Sequence, residues 1–588
     1  MADPKQLLAD RFSHAIVRAF GEEHAGVDPV IRPAQHPRFG DYQANVALSL
    51  GRTLGMAPRE VAERIVEHLD LSGLADPPEV AGPGFVNLRL RPEFLAREAA
   101  RLAADPRLGV EPSRAAETVV VDYSGPNVAK EMHVGHLRST IIGDAIARIL
   151  EFLGDRVIRQ NHLGDWGTQF GVLIEYLVET GRAGGLLESG AGTGLDLTAL
   201  YREGVARFES DPGFAGRARA RVVALQGGDP ETLAVWRCLV ETSARHFEAV
   251  YQRLGVTLTP ADTRGESFYN PMLDAVVGDL ERAGLVRENR RALCVLPPGF
   301  QARDGEPLPL IVRKSDGGYP YAATDLAAIR YRVTELGANR IAYVVDARQT
   351  QHFAMVFATA RMAGWLDGAR AEHVVFGAVL GDDGRPFKTR SGEMPRLADL
   401  LDEAVRRAAD VVAVKSPDLS PEEAQRVAEV VGIGAVKFAD LANDRTRDYV
   451  FSWERMLAMD GNTAPYLQYA YARARSILRK AEQDGDDAAA LAANAQIIVG
   501  HPAERALVLQ LLGFGEVVAA AAETLEPHRI AGYLFDAATL FSSFFEQCPV
   551  LAAPSPGERR SRLILCDLVA RILRQGLSLL GIEVLEKM

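Results

Sequence analysis

The chain has 588 residues, with 66 Lys and Arg against 78 Asp and Glu, a formal net charge of −12, and 47% hydrophobic residues. That length predicts about three to five domains with packed cores, which excludes a disordered chain, a collagen and a disulfide-stapled miniprotein. The acidic total argues against wholesale coating of nucleic acid but leaves local basic patches open.

Cys238, Cys294, Cys548 and Cys566 are scattered, with no CxxC spacing. They read as reduced, mostly buried thiols of a cytoplasmic protein rather than as zinc ligands. The N-terminus lacks a basic stretch running into an unbroken apolar one, so no signal peptide is expected. No membrane span is expected either, since even residues 506–525 carry Gln510, Glu516 and Glu523.

Residues 1–112 open with an amphipathic helix. A stretch punctuated by Pro and Gly follows (31–52), and then AGPGFVNLRL (81–90), which alternates like one strand. Asp105-Pro106 and Glu111-Pro112 mark a boundary. TVVVDY (118–123) is the β-branched run of a buried parallel strand. LRSTIIGDAIARILEFLG repeats its apolar residues at three and four and stops at Gly154, and RVIRQN (156–161) reads as a strand again. This is a βαβ unit, which builds a parallel sheet. Strand, helix and strand recur at 340–346, 352–364 and 373–377, so the sheet resumes after an insertion at about 170–330. From about 395 onward the period is helical. The expected fold class is α/β: a split Rossmann-type parallel sheet (113–395), an N-terminal α+β additional domain (1–112), a helical linking region (396–460) and a C-terminal all-α bundle (461–588).

The loop DYSGPNVAKEMHVGH (122–136) lies at the carboxyl end of the first strand of that sheet, where doubly wound folds bind ligands. A helix N-terminus attracts phosphate through free N–H groups and the macrodipole. His133 and His136 stand three apart at the helix start, and Gly135 lets a base or ribose lie against backbone. Lys130 can add a cation near phosphates. Two histidines so placed could equally serve a metal, act as a general base or cap a helix.

Between Lys437 and Lys480, eight Lys and Arg face five Asp and Glu, a local +3, with Tyr466, Tyr469 and Tyr471 among them. Aromatics beside cations suit unpaired bases and phosphates, although a charged helix face is often only solvated. Arg217, Arg219 and Arg221 form a second basic run with the same two readings. GAGTG (190–194) has no strand before it and reads as an insertion loop. No GxxxxGK[ST] is present, which disfavours P-loop chemistry.

HVGH resembles the HIGH signature of class I aminoacyl-tRNA synthetases. DYSGPNVAKEMHVGHLRSTIIGD, NHLGDWGTQFG (161–171), ESFYNPML (266–273), DGGYPYAATDLA (316–327), RPFKTRSGE (385–393), GIGAVKFADL (432–441), NTAPYLQYAYAR (462–473) and GIEVLEKM (581–588) resemble the arginyl-tRNA synthetases of bacterial type. The resemblance implies a ligase that joins arginine to AMP and then to the 2′-OH of the terminal adenosine of tRNA(Arg). Its partners would be L-arginine, tRNA(Arg), and ATP with Mg²⁺, with no protein-ligated metal, no membrane and a monomeric chain. Activation would require bound tRNA.

Arginine is a planar cation with five donors, and its site calls for carboxylate, amide and aromatic groups. By resemblance these are Asp122, Asn127, Tyr321, Asp325 and Gln349, with Asn127, Tyr321 and Asp325 at the guanidinium end. Seen alone, Asp325 is an exposed first-turn carboxylate and Tyr321 a half-buried strand aromatic. ATP falls to His133, Gly135, His136, Phe387 and Lys388, and catalysis to His133, His136, Lys130, Lys388 and Arg390. The second class I signature, KMSKS, is degenerate here as FKTRSG (387–392), and Lys130 is the implied substitute for its missing lysine. Tyr466, Tyr469 and Met588 become candidates for the anticodon loop, and Phe39, Gln43 and Asn45 for the tRNA elbow. Two rivals remain: a module that binds tRNA without activating an amino acid, and a nucleotidyltransferase acting on a small cofactor precursor. Intact His133, Gly135, His136, Asn127 and Asp325 oppose the first. The second has no use for the helical C-terminal third.

Overall fold

Val119, Val120 and Val121 have no exposed surface, and the reason is a strand covered on both faces. In the computed structural model, Thr118–Asp122 lies inside a four-stranded sheet with Arg156–Gln160 on one side and Arg340–Tyr343, then Arg370–His373, on the other. All pairings are parallel. The structure describes residues 3–113, 115–189, 196–381, 383–385, 387, 395–486 and 496–588.

Alternation along the central strand separates two cores. Val119 and Val121 pack with the helix Val134–Leu153, whereas Val120 packs with the helices Tyr321–Thr334 and Thr350–Met362. The helix Val134–Leu153 lies so close to the strand end that a Cβ at Gly143 would sit 2.2 Å from Tyr123 Cβ. Because one crossover runs left from the central strand and the other right from its neighbour, Thr118–Asp122 and Arg340–Tyr343 flank the topological switch point. Between the two sheet halves stand helices from Thr168–Glu179 to Leu273–Arg282 and an antiparallel sheet of Val286–Asn289, Ala292–Val295 and Leu310–Arg313.

Two strand expectations need correction. The last parallel strand is Arg370–His373, not 373–377: its ladder ends where His373 meets Tyr343. The apolar residues beyond it leave the ladder, and Gly377 packs against the backbone of Arg447 and the carboxylate of Asp448. The alternating stretch 81–90 is a hairpin rather than one strand, with Glu79–Ala81 and Phe85–Leu88 antiparallel. It turns at Gly82 and Gly84, whose φ values of 53° and 138° favour glycine.

That hairpin belongs to an antiparallel sheet in the order Ile31–Pro33, Tyr42–Ala44, Phe85–Leu88, Glu79–Ala81, flanked by Pro4–Phe20 and Pro92–Ala104. It rests on the C-terminal helices through the Arg505–Asp41 ion pair and through Arg571, which donates to the carbonyls of Ala103 and Asp105. From Leu397 onward the described chain is helical apart from Tyr449–Val450, which pairs with Val379–Leu380 and joins this region to the sheet domain.

Pro502–Thr524 is, by length and composition alone, long and apolar enough to cross a membrane. Its apolar residues Leu507, Val508, Leu511, Phe514 and Val518 are buried in the bundle, which accounts for the composition. The cysteines are unpaired; Cys294, Cys548 and Cys566 are buried and Cys238 is half-buried.

Candidate active site

A cavity of about 1050 Å³ opens at the switch point, walled by the residues that follow the two central strands. Asp122, Asn127, His133, Gly135, His136, Tyr321, Asp325, Gln349 and Phe387 all line it, although they span 266 positions of sequence (387 − 122 + 1).

The histidines are fixed by the helix they begin. His133 is the N-cap, and its Nδ1 accepts from the Gly135 N–H at 3.1 Å. His136 Nδ1 accepts from the His133 N–H at 3.1 Å, which closes a reciprocal capping box, and the rings stack 3.9 Å apart. With both Nδ1 atoms accepting, each neutral ring carries its proton on Nε2. Burial favours the neutral form of both rings. Burial, then the His133 charge, pushes His136 down to about 3, and burial, then Lys130, lowers His133. The helix N–H groups are not free, as the sequence reading required. Val134 donates to Pro395 O, Gly135 to His133 Nδ1 and His136 to His133 O. Anion binding here therefore falls to the two Nε2–H donors and the helix dipole.

A second group of cavity residues is acidic. Asp325 Oδ2 meets His352 Nε2 at 2.6 Å. Glu266 lies in the wall, its acid pushed up to about 8 by burial and by the charges of Asp165 and Asp325. Asp165 is turned away to Ser267, accepting from its N–H at 2.9 Å and from its hydroxyl at 2.6 Å. Asp122 reaches the cavity floor, but its Oδ2 is held at 2.6 Å by the fully buried Arg332. Asn127 stands against Gly164, where any larger residue would strike its Oδ1. Tyr321, at the start of its helix, is 70% exposed, and Gln349 is also exposed at the rim.

The sequence reading passed over Glu266, His352 and Arg348. Glu266 lay inside a quoted motif and His352 and Arg348 flank Gln349, yet nothing in their spacing shows which side chain faces a cavity.

The cations are arranged differently from expectation. Lys130 Nζ sits 4.8 Å over the Tyr201 ring of the insertion and does not line the cavity. Lys388, Arg390 and the GAGTG segment lie outside the described residues. Phe387 packs 4.9 Å from Phe451. Arg217 and Arg221 are engaged by Glu175, and Arg217 also by Glu179, while Arg219 covers Phe208. Of the cations counted between 437 and 480, Lys437 is buried and donates to Leu254 O and Gly581 O; burial lowers it to about 8. Arg475 and Arg479 grip Glu586.

What faces outward is a smaller platform. Tyr469 and Phe545 are each 40% exposed, with Arg473 4.8 Å over the first ring and 5.3 Å over the second. Tyr466 is half-buried, with its hydroxyl 3.3 Å from Ser542 Oγ, and Met588 packs on the Val427–Val431 helix face. In the N-terminal domain, Arg38 lies 4.5 Å over Phe39, Gln43 donates to Asn87, and Asn45 Oδ1 is buried without a hydrogen-bond partner among the described residues.

A nucleotide-sized cavity at the switch point of a split parallel sheet, edged by an HVGH helix start, defines a class I tRNA synthetase. Residues 99–453 match the family described as tRNA synthetases class I (R), catalytic domain, 467–588 the DALR anticodon binding domain, and 6–90 the arginyl tRNA synthetase N terminal domain. The chain belongs to the arginyl-tRNA synthetase family. It is 53% identical over 588 residues to the arginine–tRNA ligase of Thermobifida fusca and 51% over 593 to that of Synechococcus elongatus, covering 100% of each chain in both cases. Among solved structures it is similar to the arginyl-tRNA synthetase of Plasmodium falciparum (TM-score 0.85, 30% identity, 100% of both chains) and to that of Thermus thermophilus (TM-score 0.80, 28% identity, 99% of this chain and 100% of that one).

Proposed function

We infer that this chain ligates L-arginine to tRNA(Arg) with ATP, through an arginyl-adenylate. An arginine carboxylate oxygen attacks the α-phosphorus of MgATP, the bond to the β-phosphate oxygen breaks, and diphosphate leaves. The 2′-OH of the terminal adenosine then attacks the adenylate carbonyl, and AMP leaves. Such a reaction depends on alignment and charge stabilisation more than on a covalent enzyme group.

The observation that carries this reading is that one cavity is lined both by carboxylates, Asp325 and Glu266, and by two imidazoles whose Nδ1 atoms are engaged, which leaves Nε2 to donate. Asp325, with Tyr321 and Asn127, takes the guanidinium, Glu266 joins them once ionised, and Gln349 and Asp122 complete the wall. His133 and His136 donate Nε2–H to the phosphates, Gly135 and Phe387 pack against the adenosine, and Lys388 and Arg390 meet the departing diphosphate. Lys130 acts at longer range, by its charge. Arg473, Tyr469 and Phe545 offer a stacking surface for anticodon-loop bases, bordered by Tyr466 and Met588. Phe39, Gln43 and Asn45 face the tRNA elbow from the domain 1–112. Every residue assigned to the site belongs to this one chain, which supports a monomer, and charging tRNA for translation is work of the cytoplasm.

ATP–diphosphate exchange tests this. Exchange should require arginine together with tRNA(Arg). No exchange with both present would leave only a tRNA-binding module.

A further inference from the structure

His352 sits in the first turn of the helix Thr350–Met362, on the cavity wall, and belongs to no assigned role. Its Nε2 is 2.6 Å from Asp325 Oδ2, and the side chains of His352 and Asp325 are only 28% and 16% exposed. The other oxygen of Asp325 takes no hydrogen bond among the described residues. A carboxylate on a single Cβ–Cγ axis swings freely unless one oxygen is fixed, and a guanidinium needs its partner in a defined plane.

We propose that His352 is the positioning residue for arginine recognition: its Nε2–H fixes Asp325 Oδ2, turns Oδ1 to the cavity, and in the empty site its imidazolium holds the place of the cation that arginine brings. The proposal rests on reading Asp325 as the guanidinium partner.

The arrangement has a proton consequence. Glu266, Asp346 and Arg348 share the cavity wall with the pair, Asp165 and Asp325 both act on Glu266, and Tyr343 and His373 pack on Phe353 beside His352. Burial alone would lower His352, but the hydrogen bond and charge of Asp325 outweigh it. The free site therefore keeps His352 protonated to higher pH than an ordinary histidine. A bound guanidinium draws on the same carboxylate, weakens the hold on that proton and expels it. Arginine affinity then falls as pH drops through the raised His352 value. Glu266, neutral below about 8, adds a second loss in the same direction.

The test is the KM for arginine and for ATP in aminoacylation of tRNA(Arg), from about pH 6 to 8.5. His352→Ala should raise the arginine KM about 10-fold, equivalent to about 1.4 kcal/mol, and leave the ATP KM unchanged. His352→Gln, which restores an amide donor where Nε2 stood, should recover most of that loss at high pH. It should also remove one of the two titrations from the profile, with Glu266→Gln removing the other. Asp325→Asn should raise the arginine KM, and His352→Ala should add little in that background. The proposal is overturned if His352→Ala spares the arginine KM while Asp325→Asn raises it. Equal losses for arginine and ATP, or a His352→Gln profile identical to the parent, overturn it in favour of packing. An unchanged arginine KM in Asp325→Asn defeats the underlying reading instead.

Discussion

The catalytic cavity and the C-terminal helical third both gather polar residues, and they use them in opposite ways. In the cavity, Asp122, His133, Glu266, Asp325 and Gln349 come from separate segments and end around one open space. In the helical third, Lys437 is enclosed among backbone carbonyls, Arg445 donates to Val375 O and Leu525 O, and Arg475 and Arg479 hold Glu586. Sheet topology thus concentrates reactive groups, because the ends of adjacent parallel strands leave a crevice that no side chain need fill. Helix packing consumes charged groups, since every carbonyl and carboxylate brought inside needs a donor. A count of cations along the helices therefore measures folding as much as tRNA binding.

Breaking the cavity side of this comparison should give the larger effects. His136→Ala removes a preorganised Nε2–H donor and one arm of the capping box, and should lower kcat about 10²–10³-fold in steady-state aminoacylation. Because burial holds His136 near 3, the rate at saturating arginine should show no inflection from that ring between about pH 6 and 8. Asp325→Asn should cost more than about 10-fold in kcat/KM for arginine, since a charge-assisted hydrogen bond is worth about 1.5–3 kcal/mol, while the ATP KM stays put. An unchanged arginine constant would remove Asp325 from the site.

The helical side sharpens the contrast with smaller changes. Tyr469→Ala should weaken tRNA use by about 1–3 kcal/mol, the worth of one stacked base, and spare arginine affinity. Tyr466→Ala should do less, because much of that ring is already covered. Arg217→Ala should leave the tRNA KM within about twofold, since Glu175 and Glu179 already hold its guanidinium. A large loss at Arg217 would show that the insertion, too, meets tRNA.

What the sequence made legible follows the same division. Consecutive β-branched residues betrayed the central strand, because only a strand covered on both faces tolerates Val119 to Val121 in a row. HVGH was readable because its strand–loop–helix context fixes where its rings must lie. The 373–377 stretch misled, since its apolar residues serve the cavity wall and the packing around Gly377. The true edge strand, Arg370–His373, carries Arg370 and Glu372, as an edge allows. The Gly82–Gly84 turn was hidden inside a stretch that happened to alternate. His352 and Glu266 were invisible for another reason. Glu266 itself and Asp325, the partner of His352, arrive through an insertion whose path no local pattern encodes.

The central claim is that one cavity holds arginine and ATP end to end, guanidinium at Asp325 and phosphates at His133 and His136. A crystal structure of the protein with arginine and a non-hydrolysable ATP analogue tests this most directly. The account predicts guanidinium nitrogens within hydrogen-bond distance of Asp325 and phosphate oxygens facing both Nε2 atoms, with the arginine carboxylate pointing at the α-phosphorus. Arginine bound away from Asp325, or a nucleotide remote from the two imidazoles, would contradict it.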